Sequence, residues 1–383
     1  MGIFSFGQGA PVGLDIGTNT FRVAQLKSAQ DKPVLINSGY VWVPPGVVVE
    51  GEIMDVEAAS KYLSDLWRSL RLSERRVIIG VANQKVVVRL IEMPFMEKAD
   101  LRQALNFQAQ DYIPIPLDEA IMDFDVVGEY TSDEGERMME VLLVAAQRDM
   151  VNAHIETIQG AGLKPVAIDV SSLAFTRAIL ANQPSLPVDN DAVDEFEALA
   201  LINVAGGTTN IVVLENGVPR FTRISSFAAN SFTDALKDKL RISYEEAEDL
   251  KIKAGLPPLR NKDSAEELDA SGAADESATK LQIAQSVLEE EMGAFIAEIR
   301  RSLDYYLAQT SRVRSINRVI ASGGGVRMLN FVEYLADGLQ LDVEIGHPLA
   351  RIKVGGRLDA QEIANEELSM AVCLGLALRG LEV

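Results

Sequence analysis

The sequence predicts an α/β protein made of two related lobes. Three observations carry that reading. A strand–turn–strand pattern occurs twice, about half the chain apart, as Gly13-Leu-Asp-Ile-Gly-Thr-Asn-Thr-Phe-Arg-Val-Ala-Gln-Leu26 and Leu201-Ile-Asn-Val-Ala-Gly-Gly-Thr-Thr-Asn-Ile-Val-Val-Leu214. Short apolar strands alternate with one-faced helices along most of the chain. The length, 383 residues, exceeds one average core and suits two or more domains.

The first lobe opens with strands at Val12–Ile16, Phe21–Lys27 and Val34–Val43, closed by Pro44, Pro45 and Gly46. A helix follows at Val56–Leu70, with Ala59, Leu63, Leu66, Trp67 and Leu70 on one face. Residues 77–164 read as an insertion. It holds strands Val77–Val81, Val86–Met93, Ile121–Val127 and Met138–Gln147. Its first helix, Lys98–Tyr112, stops at Ile113-Pro-Ile-Pro116 because proline has no N–H to continue the ladder. Its second, Met150–Gly160, ends at Gly160 and Gly162. Strand Pro165–Val170 returns to the first lobe, and Ser171 caps helix Ser171–Leu180. Residues 1–76 and 165–185 thus form the first lobe.

The polar, acidic stretch Gln183–Asp194 reads as the linker to a second lobe over 195–383. That lobe starts with strands Ala198–Val204 and Asn210–Leu214, then Asn216-Gly217 as a hairpin turn into Val218–Ile224. Helices Ala229–Leu240, Tyr244–Ala254 and Val287–Gln309 build a helical unit over 228–315. Within it, 257–278 is rich in Ala, Ser, Asp and Glu and reads as a mobile surface loop. Strand Arg318–Ser322 runs into Gly323-Gly-Gly325, and a last helix lies near Glu367–Leu378.

Composition narrows the function. The formal net charge is −20, so the basic face that displaces counterions from nucleic acid is not expected. A single cysteine, Cys373, excludes an internal disulfide and suits a reducing compartment. Two histidines without ligand spacing give no zinc site. No apolar run reaches the roughly 20 residues that span a bilayer, so no direct membrane insertion is expected and a partner must hold the chain at any membrane.

The motifs point to a nucleotide. Tight turns of small residues expose backbone N–H groups in a nest for phosphate, and Thr hydroxyls add donors. Gly17, Thr18, Asn19 and Thr20 form one such turn; Gly206, Gly207, Thr208 and Thr209 form the other. Either alone is an ordinary hairpin, but two at matching places imply one ligand gripped from both lobes. Asp15 beside phosphate implies Mg²⁺, held through water. Gly323, Gly324 and Gly325 let a flat base or a phosphate approach the main chain. Glu248 and Lys251, three apart on a helix, share a face and suit ribose hydroxyls, although such pairs are usually solvated salt bridges.

Taken together these motifs resemble the actin, heat-shock-chaperone and sugar-kinase ATPase superfamily. The insertion narrows the resemblance. Gln108-Ala-Gln-Asp-Tyr-Ile-Pro-Ile-Pro-Leu-Asp-Glu119, Glu140-Val-Leu-Leu-Val-Ala-Ala-Gln-Arg148, Ala161-Gly-Leu-Lys-Pro-Val-Ala-Ile-Asp169 and Ile299-Arg-Arg-Ser-Leu-Asp-Tyr-Tyr306 are similar to the PilM family of type IV pilus assembly proteins. The cell-division protein FtsA shares the architecture but usually carries a C-terminal membrane helix, which is not visible here.

The resemblance implies an actin-like fold, two RNase H-like domains with an inserted α+β subdomain, and ATP with Mg²⁺ in the central cleft. It implies a cytoplasmic location, peripheral to the inner membrane, and binding of the short cytoplasmic N-terminal peptide of PilN, with other pilus machine components nearby and self-association as an option. By motif, Asp15 and Asn203 stand at metal positions, Glu248 and Lys251 at ribose or adenine, and Gly323–Gly325 at adenosine. Asp169 is placed to position water. Leu101, Leu105, Gln108 and Tyr112 are the expected peptide contacts. One departure stands out: Asn203 occupies a position where the superfamily commonly has Asp. An amide can neither bring charge to Mg²⁺ nor accept a proton, so hydrolysis is expected to be slow or absent. A filament former like FtsA, or a small-molecule kinase, are the competing readings. The kinase needs a carboxylate base near the γ-phosphate, and none is evident.

Overall fold

A computed structural model of the chain describes residues 9–180, 198–259, 276–310, 313 and 315–382. The expected 183–194 linker and residues 260–275 of the expected 257–278 loop lie outside the described residues.

In chain order the elements are β1 (Val12–Ile16), β2 (Thr20–Lys27), β3 (Val34–Trp42), the short hairpin β4 (Val48–Val49) and β5 (Glu52–Ile53), α1 (Val56–Ser69), β6 (Arg76–Val81), β7 (Val86–Pro94), α2 (Lys98–Tyr112), β8 (Ala120–Thr131), β9 (Arg137–Gln147), α3 (Arg148–Gly160), β10 (Lys164–Val170) and α4 (Ser171–Leu180). The second half continues with β11 (Ala198–Val204), β12 (Thr209–Glu215), β13 (Val218–Ser225), α5 (Ala229–Leu240), α6 (Tyr244–Ala254), α7 (Glu276–Gln309), β14 (Ile316–Ser322), α8 (Phe331–Leu339), β15 (Asp342–Ile345), β16 (Lys353–Val354), α9 (Ala360–Glu366) and α10 (Ala371–Arg379).

Two sheets share one topology. The first runs β10-β6-β1-β2-β3-β16 and the second β15-β14-β11-β12-β13. In each, three antiparallel strands join a parallel pair: β1 pairs β2 antiparallel and β6 parallel, as β11 pairs β12 antiparallel and β14 parallel. The sequence repeat is therefore a structural repeat. Strands β11 and β12 are buried along their whole length, which explains their continuous apolar runs instead of alternation.

Helices α4 and α10 lie between the sheets. Phe175, Ile179, Val372 and Leu376 pack there against Ile78 on one side and Leu201, Val212 and Ile320 on the other. Close approach fixes α10. A Cβ on Gly375 would sit 1.8 Å from the Ala174 carbonyl oxygen, and one on Gly13 2.2 Å from that of Cys373. Any side chain at either position would drive α10 off α4 or off β1.

Three expected boundaries need correction. Strand β6, expected inside the 77–164 insertion, hydrogen-bonds between β1 and β10 in the first sheet. Helix α3 also belongs to the first lobe: its Ile158 shares a core with Leu63, Leu66 and Trp67 of α1. The inserted sheet is thus only β7-β9-β8, crossed by α2. Nor does the chain's end stay in the second lobe over 195–383. Strand β16 pairs with β3, and Cys373, Leu374 and Ala377 of α10 pack on Ala24, Leu26 and Leu35. Apolar periodicity reports that a helix has a buried face, not which sheet it covers.

Helix α7 begins at Glu276, eleven residues before the expected Val287. Its polar first turns bury Ala284 but little else, so they carry no apolar stripe. The short elements β4, β5, α8, β15, β16 and α9 have too few residues to show a period.

Candidate functional site

Hairpins β1–β2 and β11–β12 end in equivalent turns. The last registered pairs are Ile16 with Phe21 and Val204 with Thr209, leaving four turn residues in each. The same backbone bond closes both: Gly17 N–H donates to the Thr20 carbonyl and Ala205 N–H to that of Thr208, each at 3.0 Å. The turns meet across a cleft of about 500 Å³. A Cβ on Gly207 would stand 2.2 Å from Thr18 Oγ1, so only glycine permits that contact. Beside it, the amides of Asn19 and Asn230 exchange two hydrogen bonds of 2.7 and 3.0 Å. Asn230, at the start of α5, also donates its N–H to the Gly206 carbonyl.

The cleft collects Asp15, Gly17, Thr18, Asn19, Thr20, Asn203, Gly206, Gly207, Thr208, Glu248, Lys251, Gly323, Gly324 and Gly325. These residues come from places more than 300 positions apart. Gly323 has a φ of +96°, a conformation other residues rarely adopt, and a Cβ there would lie 2.3 Å from the Val204 carbonyl oxygen. That geometry turns the chain from β14 into the cleft wall. Glu248 and Lys251 are joined at 2.7 Å, and both bond Thr233 Oγ1, at 2.6 and 2.8 Å. Lys251 is buried, so this pair is a fixed part of the wall and not a solvated bridge. A capping box between Ser243 and Glu246 sets where α6, their helix, begins. Ile252, Met328 and Phe331 add apolar surface near the glycine run.

Two residues expected in the cleft, Thr209 and Asp169, are not part of its lining. Thr209 is fully buried and donates to the Phe227 carbonyl at 2.7 Å. It is the first residue of β12, and the turn ends one residue earlier. Asp169 is buried against two arginines, Arg177 at 3.1 Å and Arg379 at 3.0 Å. It ties α4 and α10 to β10 and lies outside the cleft lining. Leu101 and Leu105, expected as peptide contacts, are buried in the core of the inserted subdomain with Val141 and Leu143. On the same helix Gln108 is exposed and Tyr112 half-buried, while Phe107 is 85% exposed.

The cleft also holds residues that motif reasoning misses: Arg22, Trp42, Ser171, Asn210, Asn230, Arg327 and Glu366. Arg22 had a signal. Asp15 and Arg22 face each other in the β1–β2 register, as Asn203 and Asn210 do in β11–β12. Two residues flanking a four-residue turn at equal distance point to the same side of the sheet. Arg22 bonds Glu366 at 2.7 Å, and Glu366 lies 3.5 Å from Arg327. Burial pushes the Asp15 carboxyl up to about 6, with Arg22 pulling the other way.

The donor set fits one kind of metal. Among the described residues no group of three or more His, Cys, Asp or Glu side chains could hold an ion. Of the three cleft acids, Glu248 and Glu366 are ion-paired, which leaves the Asp15 carboxylate and the amide oxygens of Asn203 and Asn210. That suits a hydrated Mg²⁺ carried by phosphates, which keeps most of its waters. When bound, such an ion would screen phosphate charge.

Two lobes of one topology with matched turns around a cleft define an actin-like ATPase fold. Solved structures agree. The chain superposes on a PilM-PilN type IV pilus biogenesis complex with a TM-score of 0.78, at 22% identity, covering 98% of this chain and 100% of that one. It also resembles MreB5 of Spiroplasma citri bound to ADP, with a TM-score of 0.50 and 16% identity over 97% and 96% of the two chains. The cell-division protein FtsA of Neisseria meningitidis serogroup B is 26% identical over 361 residues, 88% of this chain and 83% of that protein. The model of the type IV pilus assembly protein PilM family matches residues 13–381, and the chain belongs to that family.

Proposed function

We propose that the cleft binds ATP with Mg²⁺ and that the loaded protein is a scaffold of the pilus machine, holding the cytoplasmic N-terminal peptide of PilN. The observation that carries the nucleotide reading is the pair of identically closed turns, in contact across one cleft that also receives Gly323–Gly325. The turn N–H groups and the hydroxyls of Thr18, Thr20 and Thr208 donate to phosphates. Arg22 exchanges Glu366 for phosphate oxygen, and the glycine run with Ile252 and Met328 accepts the base. Equilibrium binding of a fluorescent adenine nucleotide tests this: one site per chain is expected, and no saturable binding contradicts it.

Hydrolysis is slow in this reading. Glu248 is held by Lys251 and Glu366 by Arg22, Asn203 is an amide, and Asp169 is elsewhere. Asp15, the remaining acid of the cleft lining, is in no ion pair among the described residues, and in this reading it serves the metal, which leaves no second carboxylate there to act as base. Phosphate release should fall far below the roughly 1–100 s⁻¹ of active kinases. A rate in that range contradicts the reading, and Asn203→Asp should raise turnover.

The peptide site moves from the α2 core to a groove of about 590 Å³ between two sheet edges. Strand β7 is the edge of the inserted sheet and β13 the edge of the second lobe's sheet. The groove is lined by Val86–Arg89, Pro114 just beyond α2, Phe221–Phe227, Glu298 and Tyr305. Edge strands offer free backbone bonds to an extended peptide, with Phe221 and Tyr305 as apolar anchors. The PilM–PilN neighbour supports PilN as the partner. Tyr305→Ala should weaken binding of a PilN N-terminal peptide about tenfold, and Phe107→Ser should leave it unchanged. The reverse pattern would move the peptide to the outer face of α2. Among the described residues no helix is long and apolar enough to cross a membrane, so in this proposal the partner anchors the chain at the inner membrane.

A further inference from the structure

The inserted sheet and the first sheet end in edge strands of opposite charge. Between Leu117 and Glu136 the sequence has eight acids and no base, and all eight acids are exposed. Strand β8 lies in this stretch. Among the described residues it pairs with β9 alone, so its outer edge is open. Ile121, Asp123 and Asp125 alternate along it and share one face, and Ile121 is 37% exposed. The outer edge of the first sheet is the reverse. Residues 27–34 and 349–357 hold five exposed bases, Lys27, Lys32, Arg351, Lys353 and Arg357, against one acid, Asp31. In a chain of net charge −20 these bases form a positive island.

Register gathers them. Val34 of β3 pairs with Lys27 of β2 on one side and with Lys353 of β16 on the other, so two lysines flank it on one face. The residues just before Val34 and Lys353 are Pro33 and Ile352. With Pro348 and Leu378 they wall a hollow of about 330 Å³, and Lys32 and Arg351 join its lining beside Asp31. An apolar hollow with bases in its lining suits an apolar side chain carried next to carboxylates. Strand β8 presents that combination.

Within one chain the two edges are kept apart. The insertion leaves after β6 and returns through α3 to β10, and both strands lie at the end of the first sheet away from β16. Like edges do not suit each other either. Joining β8 to β8 sets acids against acids, and joining hollow to hollow sets bases against bases, so a two-fold dimer is disfavoured. The complementary contact is head to tail.

We propose that the hollow beside β16 receives the β8 edge of a second copy of the chain, so that copies associate head to tail. Ile121 fills apolar space, and the opposed charges set orientation and make the contact sensitive to salt. Such a contact leaves one unused edge of each kind, to which further copies can add. Neither nucleotide nor peptide takes part in it.

Analytical ultracentrifugation of the full chain is the test, at about 50 mM and about 1 M salt, with protein up to about 0.5 mM. Species larger than the monomer should grow with concentration at low salt. The association should weaken at least about tenfold at high salt, where the screening length falls to about 3 Å. Lys32→Glu with Arg351→Glu reverses one edge, and Asp123→Lys with Asp125→Lys reverses the other. Each doubly substituted chain should be monomeric at low salt, and an equal mixture of the two should regain association, because reversed edges complement one another. A wild type that stays monomeric at low salt overturns the inference and leaves the hollow to an acidic partner of another kind. Association that survives in either variant alone overturns it as well, since the contact then lies elsewhere. Two variants that circular dichroism shows to be folded, yet that stay monomeric when mixed, overturn it too. The wild-type measurement needs no variant, so a misfolded substitution cannot obscure the answer.

Discussion

The two turns are the same object with different charges. Backbone register, turn length and the closing hydrogen bond agree between β1–β2 and β11–β12. What differs is the pair of side chains beside each turn, an acid and a base in one lobe and two amides in the other. Geometry is thus held constant while electrostatics varies. Shape alone says where a phosphate chain would lie, and the side chains decide what must accompany it.

The largest expected effect tests the shared geometry. Gly207→Val places atoms where Thr18 Oγ1 stands, 2.2 Å from a Cβ. The turns must separate, and nucleotide affinity should fall by about 3 kcal/mol, near a hundredfold. Calorimetric titration reads it. A variant that binds like wild type would show that the turns do not act together.

The next tests the charged side of the comparison. The folded-state pKa of Asp15 lies at about 6, above its ordinary 3.8. A raised acid costs stability once it must ionise, so its favourable contribution is present below pH ~4 and lost as pH rises through 6. Asp15→Asn removes that cost, about 2–3 kcal/mol at pH 7.5 for a shift of this size. Denaturant melts without nucleotide should show the variant more stable at pH 7.5 and equal to wild type near pH 4. A variant less stable at pH 7.5 would mean that Arg22 outweighs burial.

The smallest effect concerns the bridge between the lobes. Asn19→Ala or Asn230→Ala removes two neutral hydrogen bonds and should weaken nucleotide binding by about 1 kcal/mol, and the double variant by no more than either single. Additive losses would mean that each amide contacts the ligand separately.

Much of this was legible in the sequence, for definite reasons. Turn chemistry is local, so Gly17–Thr20 and Gly206–Thr208 announce themselves. The structure places the ends of strands β1 and β11 and of helices α2, α4, α5 and α6 at the expected residues. Long-range placement was not legible. Nothing local says that Asp169 meets Arg177 and Arg379, or that Leu101 and Leu105 face inward within a small domain. The return of α10 to the first lobe depends on glycines 13 and 375, whose role exists only once both helices and the strand are in place. Arg22 and Asn210 were readable in principle, since their distance from the turn mirrors that of Asp15 and Asn203.

The central claim is that one adenine nucleotide is held by both turns at once. The most direct measurement is a crystal structure of the full chain grown with ADP or a non-hydrolysable ATP analogue. The account predicts one ligand per chain, its phosphates within hydrogen-bond reach of backbone N–H groups in both 17–20 and 205–208. Phosphates that touch a single turn, or a nucleotide bound outside the cleft, would contradict it.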